Sequence, residues 1–275
     1  MTKTSRRMRA LLTNDDGIAA EGIHALAAVL APAWDVAVVA PDSQRSASSH
    51  SITLHKPLRL DAVGRYPAGV RAYQCSGSPT DCVMLGVLEV MKDAPPHIIV
   101  SGINDGPNVA EDVTYSGTVA AAMEGAMLKI PSLSVSLFDS RSRDFSAAAD
   151  FTARLISRLF AAGSSGGKGA RTFASVMKRS RVFLNVNVPS LPAEEIKGFA
   201  VTFLGSRTYR DILRQSLDPR RRPYYWIGGE KVMDVSPRGS DIWALKRGYV
   251  SVTPLTVDIT AASAISALSD AIKGL

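Results

Sequence analysis

Few cysteines and no long apolar run narrow the classes of protein that this sequence can represent. Cys75 and Cys82 are the only cysteines among 275 residues, with no Cys-x-x-Cys pair, His-rich tract or disulfide framework. We therefore expect both thiols to be small core residues in a reduced, cytoplasmic setting. No apolar run approaches the roughly 20 residues of a membrane span. The basic start, residues 1–9, has no apolar segment after it, so we expect no secretory signal.

Two further absences concern the fold. The sequence has no internal repeat, and no Gly-x-Gly-x-x-Gly follows the first predicted strand, which argues against a non-catalytic dinucleotide-binding protein. Apolar residues make up 46% of the chain, which is enough for a sizeable core. The length suits one large α/β domain or two small ones.

The net charge of +7 is unevenly distributed. Residues 166–222 hold twelve lysines and arginines against four acids, so the rest of the chain is close to neutral. Such a basic segment attracts nucleic acid or phosphorylated substrates, or is simply a solvated surface. It contains few aromatic residues and no known nucleic-acid motif, so we favour the solvated surface and regard nucleic-acid binding as the weaker alternative.

Strands and helices alternate up to residue 190, which favours a Rossmann-like α/β fold, a mostly parallel sheet with helices on both faces. Continuous apolar runs such as 36–40 are typical of parallel strands that are covered on both sides. The predicted strands are 8–12, 36–40, 52–60, 70–73, 97–100, 132–137 and 182–188. Four helices are predicted before residue 190. The first follows residue 17, the second begins near Pro79, and the other two cover 119–125 and 145–160.

The pattern changes after residue 190. A Gly- and Ser-rich stretch at 163–169 is the clearest flexible connection before that point. Strand-like segments and a final amphipathic helix follow, at 200–204, 224–227, 249–255 and 261–272. We divide the chain into an α/β core, 1–199, and a C-terminal β-rich extension, 200–275. The extension either pairs with another subunit to form an oligomer or adds antiparallel strands to the same domain.

The segment Asn14-Asp15-Asp16-Gly17 is the first candidate site. It follows an apolar strand and precedes a helix with Ile23, Leu26 and Leu30 on one face. Open α/β sheets bind ligands at the carboxyl ends of their strands, so adjacent carboxylates there indicate a hard divalent cation such as Mg²⁺ or Mn²⁺. The same residues also suit a turn and a helix cap, and this segment alone leaves both interpretations open.

Two further polar loops follow predicted strands. One contains Ser46 and follows the strand 36–40, and the other follows the strand 97–100. If the sheet is parallel, all three loops open on one edge. Asp15, Asp16, Ser46 and Asn104 then supply oxygen ligands to one divalent ion, with waters in the remaining positions. Three such loops on one edge are stronger evidence than any one of them.

Six segments match one known family in the same order and cover nearly the whole chain. They are LTNDDG (12–17), the segment 40–51, GSPTDC (77–82), SGIN (101–104), YSGTVAAAMEG (115–125) and GYVSVTPL (248–255). On these motifs the chain resembles the SurE family, the stationary-phase survival proteins that act as metal-dependent 5′-nucleotidases. The resemblance implies a Rossmann-like core and a homodimer or homotetramer built partly by exchange of C-terminal segments.

The resemblance also implies that the matching Asp15, Asp16, Ser46 and Asn104 are metal ligands. A divalent ion neutralises phosphate charge and lowers the pKa of a bound water. We expect Asp15 and Asp16 to be catalytic, with one of them orienting or deprotonating that water. The sequence departs from the family pattern at Ala110, where a glycine is expected, and in two features particular to this chain, at 163–169 and 220–222.

Backbone amides and hydroxyls near the helix that follows Ser116 are the candidate phosphate contacts, since a helix N-terminus favours anions. The predicted substrate- and phosphate-binding residues are Asn14, Gly102, Asn108, Ser116, Gly117 and Thr118. The alternatives are an ordinary helix cap at Ser116 and a turn fixed by Asn108. His50, in the serine-rich loop, is either the acid for the leaving alcohol or a solvated histidine.

The sequence thus predicts a cytoplasmic 5′-nucleotidase that hydrolyses nucleoside 5′-monophosphates through a metal-activated water. One alternative is a broader phosphomonoesterase that acts on 3′-nucleotides or polyphosphate. The other is a nucleic-acid-binding protein that uses the basic segment 166–222.

Overall fold

The computed structural model describes residues 7–138, 144–161 and 172–273. The strands are β1 Arg9–Thr13, β2 Asp35–Pro41, β3 Leu60–Ala62, β4 Arg71–Cys75, β5 Ile98–Asp105, β6 Ser132–Phe138, β7 Val182–Pro189, β8 Phe199–Val201, β9 Ser206–Leu217, β10 Pro223–Val235 and β11 Val250–Thr256. The α-helices are α1 Glu21–Leu30, α2 Pro79–Leu85, α3 Gly117–Met127, α4 Ser146–Phe160, α5 Phe173–Ser180, α6 Asp241–Leu245 and α7 Ile265–Ala271.

Nine strands form one sheet in the order β3-β4-β2-β1-β5-β6-β7-β11-β8. Strands β4, β2, β1, β5, β6 and β7 are parallel to their neighbours within that run. β1 lies between β2 and β5, with Leu12 in register with Val38 and Val100. The loops that follow these three strands therefore open on one edge, which confirms the arrangement on which the predicted site depends.

The apolar strands are covered by helices on both faces, which confirms the predicted fold class. Leu12 packs with residues of α1 and α4 on one face, whereas the adjacent Leu11 packs with residues of α2 and α3 on the other. This alternation follows from the two-residue period of side chains along a strand. Cys75 and Cys82 are fully buried and pack in the same core cluster as Leu11, as expected of small core residues.

The predicted strand over 52–60 is wrong. Strand structure there is limited to β3, Leu60–Ala62, which pairs antiparallel with β4 at the edge of the sheet. Before β3, the backbone N–H of Thr53 donates to the Asp81 carboxylate at 3.0 Å rather than to a neighbouring strand. Asp81 also completes a capping box with Ser78 at the start of α2. The alternating apolar pattern over 52–59 therefore belongs to a non-strand segment, and a side-chain carboxylate takes the place of a strand partner at Thr53.

The C-terminal third contributes to two sheets. β11 pairs antiparallel with β7 and parallel with β8 inside the main sheet, whereas β9 and β10 form a separate two-stranded ribbon. No residue of α7 is buried. The division at 199/200 stays a prediction, and the connection at 163–169 lies outside the described residues. No helix in the described ranges combines the length and apolar character needed to cross a membrane.

Candidate metal and phosphate site

The adjacent carboxylates Asp15 and Asp16 lie directly after β1, and each is held by another element. Asp15 is buried, and its Oδ1 accepts a hydrogen bond from the Thr118 hydroxyl in the first turn of α3. Oδ2 of Asp16 accepts from the backbone N–H of Asp105, at the end of β5, at 3.1 Å. The end of β1 is thus tied to both α3 and β5 through its carboxylates.

The pKa values of both carboxyl groups are raised. Burial raises the pKa of Asp15 from 3.8 to about 6, and the charge of Asp16 adds to this rise against the lowering effect of the Thr118 hydrogen bond. Burial also raises the pKa of Asp16, with a contribution from Asp105. An arrangement of charges that disfavours ionisation in this way is stabilised by a cation.

The turn between β1 and α1 is made by Asn14. Its Nδ2 donates to the Gly17 carbonyl at 2.9 Å, and its Oδ1 accepts from the Gly17 N–H at 3.1 Å. The N-cap of α1 is Ala20, which makes no side-chain cap, so neither aspartate caps this helix. Asn14 therefore forms the turn, as one interpretation of this segment expects. Neither Asp15 nor Asp16 caps the helix, so the cap interpretation is wrong for both. Contact between Asn14 and phosphate stays a prediction.

The serine-rich loop after β2 also contacts Asp15. The backbone N–H of Arg45 donates to the Asp15 carbonyl at 2.7 Å. Ser46 is exposed and its Oγ accepts from Gln44 Nε2 at 2.9 Å. Ser48 was not singled out by its sequence context, yet its buried Oγ has no hydrogen-bond partner in the described part of the chain. Unpaired buried hydroxyls need a partner, so this one is suited to a bound ligand.

The N-terminus of α3 comes close to the carboxylates because its first residue is Gly117. A Cβ there would lie 2.6 Å from Ser48 Oγ and 3.0 Å from Asp15 Cβ, so only glycine allows this approach. Ser116 caps the helix by accepting from the Val119 N–H at 3.1 Å. The cap interpretation therefore holds for the Ser116 side chain, whereas Thr118 is used to hold Asp15. Phosphate contact by these residues stays a prediction.

β5 also requires a glycine, three residues before the end of the strand. Gly102 has φ +137°, and a Cβ there would lie 2.3 Å from the Val135 carbonyl oxygen of β6. Asn104 donates through Nδ2 to the Gly106 carbonyl at 2.7 Å. Its Oδ1 accepts no hydrogen bond from the described residues, which leaves an amide oxygen of the type that hard cations prefer.

Asn108 is locked into the loop after β5 by buried amides that the sequence reasoning missed. Its N–H donates to Asn187 Oδ1 at 2.9 Å, and its Nδ2 donates to Ser136 Oγ at 2.8 Å. Its carbonyl accepts from Nδ2 of both Asn185 and Asn187. The polar alternation in VFLNVNV was the available signal, because a fully buried strand has little reason to carry two asparagines. Asn108 thus fixes its own loop, as the alternative interpretation expects.

Ala110, the departure from the family pattern, adopts a conformation that favours glycine. Its φ is +50°, and its N–H donates to Oδ2 of the buried Asp241 at 2.9 Å. Asp241 also accepts from the Gly205 N–H at 2.8 Å, so it joins this loop to the base of the ribbon. Sequence reasoning missed Asp241 because its partners are distant in the chain.

His50 contacts Glu124, a residue of α3 that sequence reasoning also missed. His50 Nε2 lies 2.9 Å from Glu124 Oε2. A glutamate inside an alanine-rich helix was the signal that could have identified it. The structure therefore places His50 at the helix that holds Asp15, rather than leaving it without a partner in solvent.

A cleft of about 320 Å³ opens beside Asp16. Its lining includes Glu21, Gln44, Asp105 and Phe145. In the described ranges, no cluster of three or more His, Cys, Asp or Glu side chains could hold a metal ion. A cation here would therefore depend on two carboxylates supplemented by hydroxyl, amide and water oxygens, a donor set that fits Mg²⁺ or Mn²⁺.

Comparisons with known proteins identify the family of this chain. A family model described as "Survival protein SurE" matches residues 10–211. The protein named "5′-nucleotidase SurE" from Heliobacterium modesticaldum is 46% identical over 97% of this chain and 93% of its own length. One of the same name from Moorella thermoacetica is 46% identical over 92% of each chain. The crystal structure of the SurE protein from Aquifex aeolicus superposes with a TM-score of 0.76 at 36% identity, covering 96% of this chain and 99% of that one. The chain belongs to the SurE family.

Proposed function

We propose that the chain is a 5′-nucleotidase that hydrolyses nucleoside 5′-monophosphates with the help of one divalent metal ion. The observation that carries this proposal is the adjacent carboxylate pair after β1, buried Asp15 and half-buried Asp16, beside the N-terminus of α3. The relatives named 5′-nucleotidase SurE support the same activity.

The metal ion would be held by Asp15 and Asp16, with Ser46 and Asn104 as further oxygen ligands. When bound, Mg²⁺ or Mn²⁺ supplies charge neutralisation for the phosphate and a water of lowered pKa. Among the described residues that line the cleft beside Asp16, the charged side chains are the acids Asp16, Glu21 and Asp105, which repel a phosphate dianion unless a cation is bound.

The other roles in catalysis belong to side chains and backbone groups of the chain. Thr118 orients the Asp15 carboxylate, and the Asp105 N–H orients that of Asp16. One of these carboxylates orients or deprotonates the attacking water. The backbone N–H of Gly117, at the first turn of α3, would bind a phosphate oxygen, since a helix N-terminus carries partial positive charge. His50 is the candidate acid for the leaving alcohol.

Phosphate release from AMP and GMP tests the proposal. Wild-type protein should release phosphate with Mg²⁺ or Mn²⁺ and stop when EDTA is added. Asp16→Asn should lower kcat/KM at least about 100-fold, because a neutral amide holds a hard cation poorly. Asp93→Asn is the matched control, since Asp93 is an exposed acid far along the chain from the site.

Activity that is indifferent to both EDTA and Asp16→Asn would contradict the proposal. A substrate panel with 3′-nucleotides, p-nitrophenyl phosphate and polyphosphate separates a strict 5′-nucleotidase from a broader phosphomonoesterase.

The proposal includes a homodimer or homotetramer in the cytoplasm. Large apolar side chains of the ribbon and of α7 are exposed, among them Ile227 at 87% and Leu268 at 62%. Exposed apolar surface of this kind is suited to contact with another copy of the chain.

A further inference from the structure

Glu124 is a buried carboxylate that the proposed metal and phosphate contacts leave unused. It lies in α3, on the alanine-rich part of the helix, and is only 8% exposed. Burying a carboxylate is costly unless a partner compensates it. That partner is His50, whose Nε2 lies 2.9 Å from Glu124 Oε2.

The loop that carries His50 is fixed to the beginning of the same helix. The Arg45 N–H donates to the Asp15 carbonyl at 2.7 Å. Further along the loop, the Ser49 N–H donates to the Tyr115 carbonyl at 3.1 Å and its Oγ to the Thr114 carbonyl at 2.9 Å. His50 therefore follows directly on a segment that is anchored beside Asp15 and the N-terminus of α3.

The pairing determines which ring nitrogen is left for chemistry. Nε2 of His50 faces the Glu124 carboxylate, so it carries a hydrogen there. Nδ1 has no hydrogen-bond partner in the described part of the chain. A carboxylate that holds one nitrogen of an imidazole, and so orients the ring and its other nitrogen, is a recurring device of acid–base catalysis.

We propose that Glu124 is a positioning residue that holds His50 so that its Nδ1–H protonates the leaving 5′-oxygen of the nucleotide. This inference rests on the proposed 5′-nucleotidase function. In the step, the water oxygen bonds to phosphorus and the P–O5′ bond breaks with its electron pair on O5′. The Nδ1 proton of His50 passes to O5′, giving the nucleoside alcohol. The proton of the water passes to a carboxylate of Asp15 or Asp16, and solvent restores both groups.

The identity of the leaving group provides the test. A ribose alkoxide is a strong base that needs a proton as it leaves, whereas p-nitrophenolate is a weak base that leaves without one. Loss of the acid therefore slows AMP hydrolysis selectively. Loss of loop structure alone slows both substrates together.

The experiment measures kcat and KM for AMP and p-nitrophenyl phosphate with saturating Mn²⁺. His50→Gln should lower kcat for AMP about 100-fold, and Glu124→Gln about tenfold, with less than about threefold loss on p-nitrophenyl phosphate. His55→Gln, an exposed histidine of the same segment, should leave both rates unchanged.

Equal losses on the two substrates, or no loss on AMP, would overturn the inference. Because Glu124 is buried, thermal unfolding of each variant shows whether it folds, and the surface-accessible His50→Gln carries the test if Glu124→Gln does not. Wild-type protein that releases phosphate from neither substrate would overturn the proposed function itself, and this inference with it. Wild-type activity combined with equal losses overturns only the role of His50 and Glu124.

Discussion

The edge of the parallel sheet and the β9–β10 ribbon differ in how they are stabilised. At the sheet edge, polar groups are buried and held by the chain itself, as Thr118 holds Asp15 and Asn187 holds Asn108. On the ribbon, Leu213 and Ile227 are directly paired across the strands yet are 65% and 87% exposed. Asp15 and Asn108 thus find their partners within one chain, whereas the ribbon leaves its apolar side chains in solvent.

The difference indicates which parts of the molecule depend on a partner. A two-stranded ribbon on its own is marginally stable in water. Side chains of directly paired residues share a face, so Leu213 and Ile227 lie on one face and Arg214 and Trp226 on the other. The apolar face is therefore suited to contact with a second copy of the chain, whereas the hydrogen bonds of Asp15 and Asn108 are made within one chain.

The largest change in the free energy of unfolding should come from neutralising Asp15. Its folded pKa of about 6 exceeds 3.8, so the native state binds the proton more tightly and its unfolding free energy falls as pH rises through 4 to 6. In EDTA at pH 7, Asp15→Asn should therefore be more stable than wild type by about 3 kcal/mol. Below pH 4 the difference should vanish. Urea unfolding at both pH values measures it, and a variant no more stable than wild type at pH 7 would contradict the account.

The next effect concerns the close approach of α3 to the carboxylates. Gly117→Ala places a Cβ against Ser48 and Asp15, so kcat/KM for AMP should fall about 100-fold. Gly64→Ala is the matched control, because nothing lies within 4 Å of a Cβ at Gly64. Steady-state kinetics of the two variants distinguish them. Similar activity in both would show that the geometry at Gly117 is not critical.

The smallest effect on the single chain should come from the ribbon. Ile227→Asp should change the stability of a monomer by less than about 0.5 kcal/mol, because its side chain is exposed. It should nevertheless break an oligomer that the apolar face forms. Light scattering after size-exclusion chromatography measures the mass of Ile227→Asp and of Ser216→Asp, a control on the opposite face. Unchanged assembly of Ile227→Asp would show that this face is not an interface.

The sequence was sufficient for the central sheet and the carboxylate pair because their signals are local. An apolar run, a turn and a helical pattern lie side by side around Asp15 and Asp16. The parallel order of β2, β1 and β5 then brings the three loops together. The helices α1 to α4 and most strands of the main sheet follow from the same periodicities, whereas α5 and α6 were not predicted.

Residues with distant partners could not be predicted in this way. Glu124 meets His50 from 74 positions away, and Asp241 meets Ala110 from 131 positions away. Neither pairing leaves a periodic signal. The segment 52–60 shows the opposite error, because an alternating pattern has no strand partner over 52–59. The backbone N–H of Thr53 in this segment donates to the Asp81 carboxylate instead.

Titration of Mn²⁺ into the wild-type protein, followed by calorimetry, tests the central claim most directly. The account predicts one Mn²⁺ bound per chain in wild type and in Asp93→Asn, and no measurable binding in Asp16→Asn. Binding that is unchanged by Asp16→Asn would contradict the claim that the carboxylates at the end of β1 form the metal site.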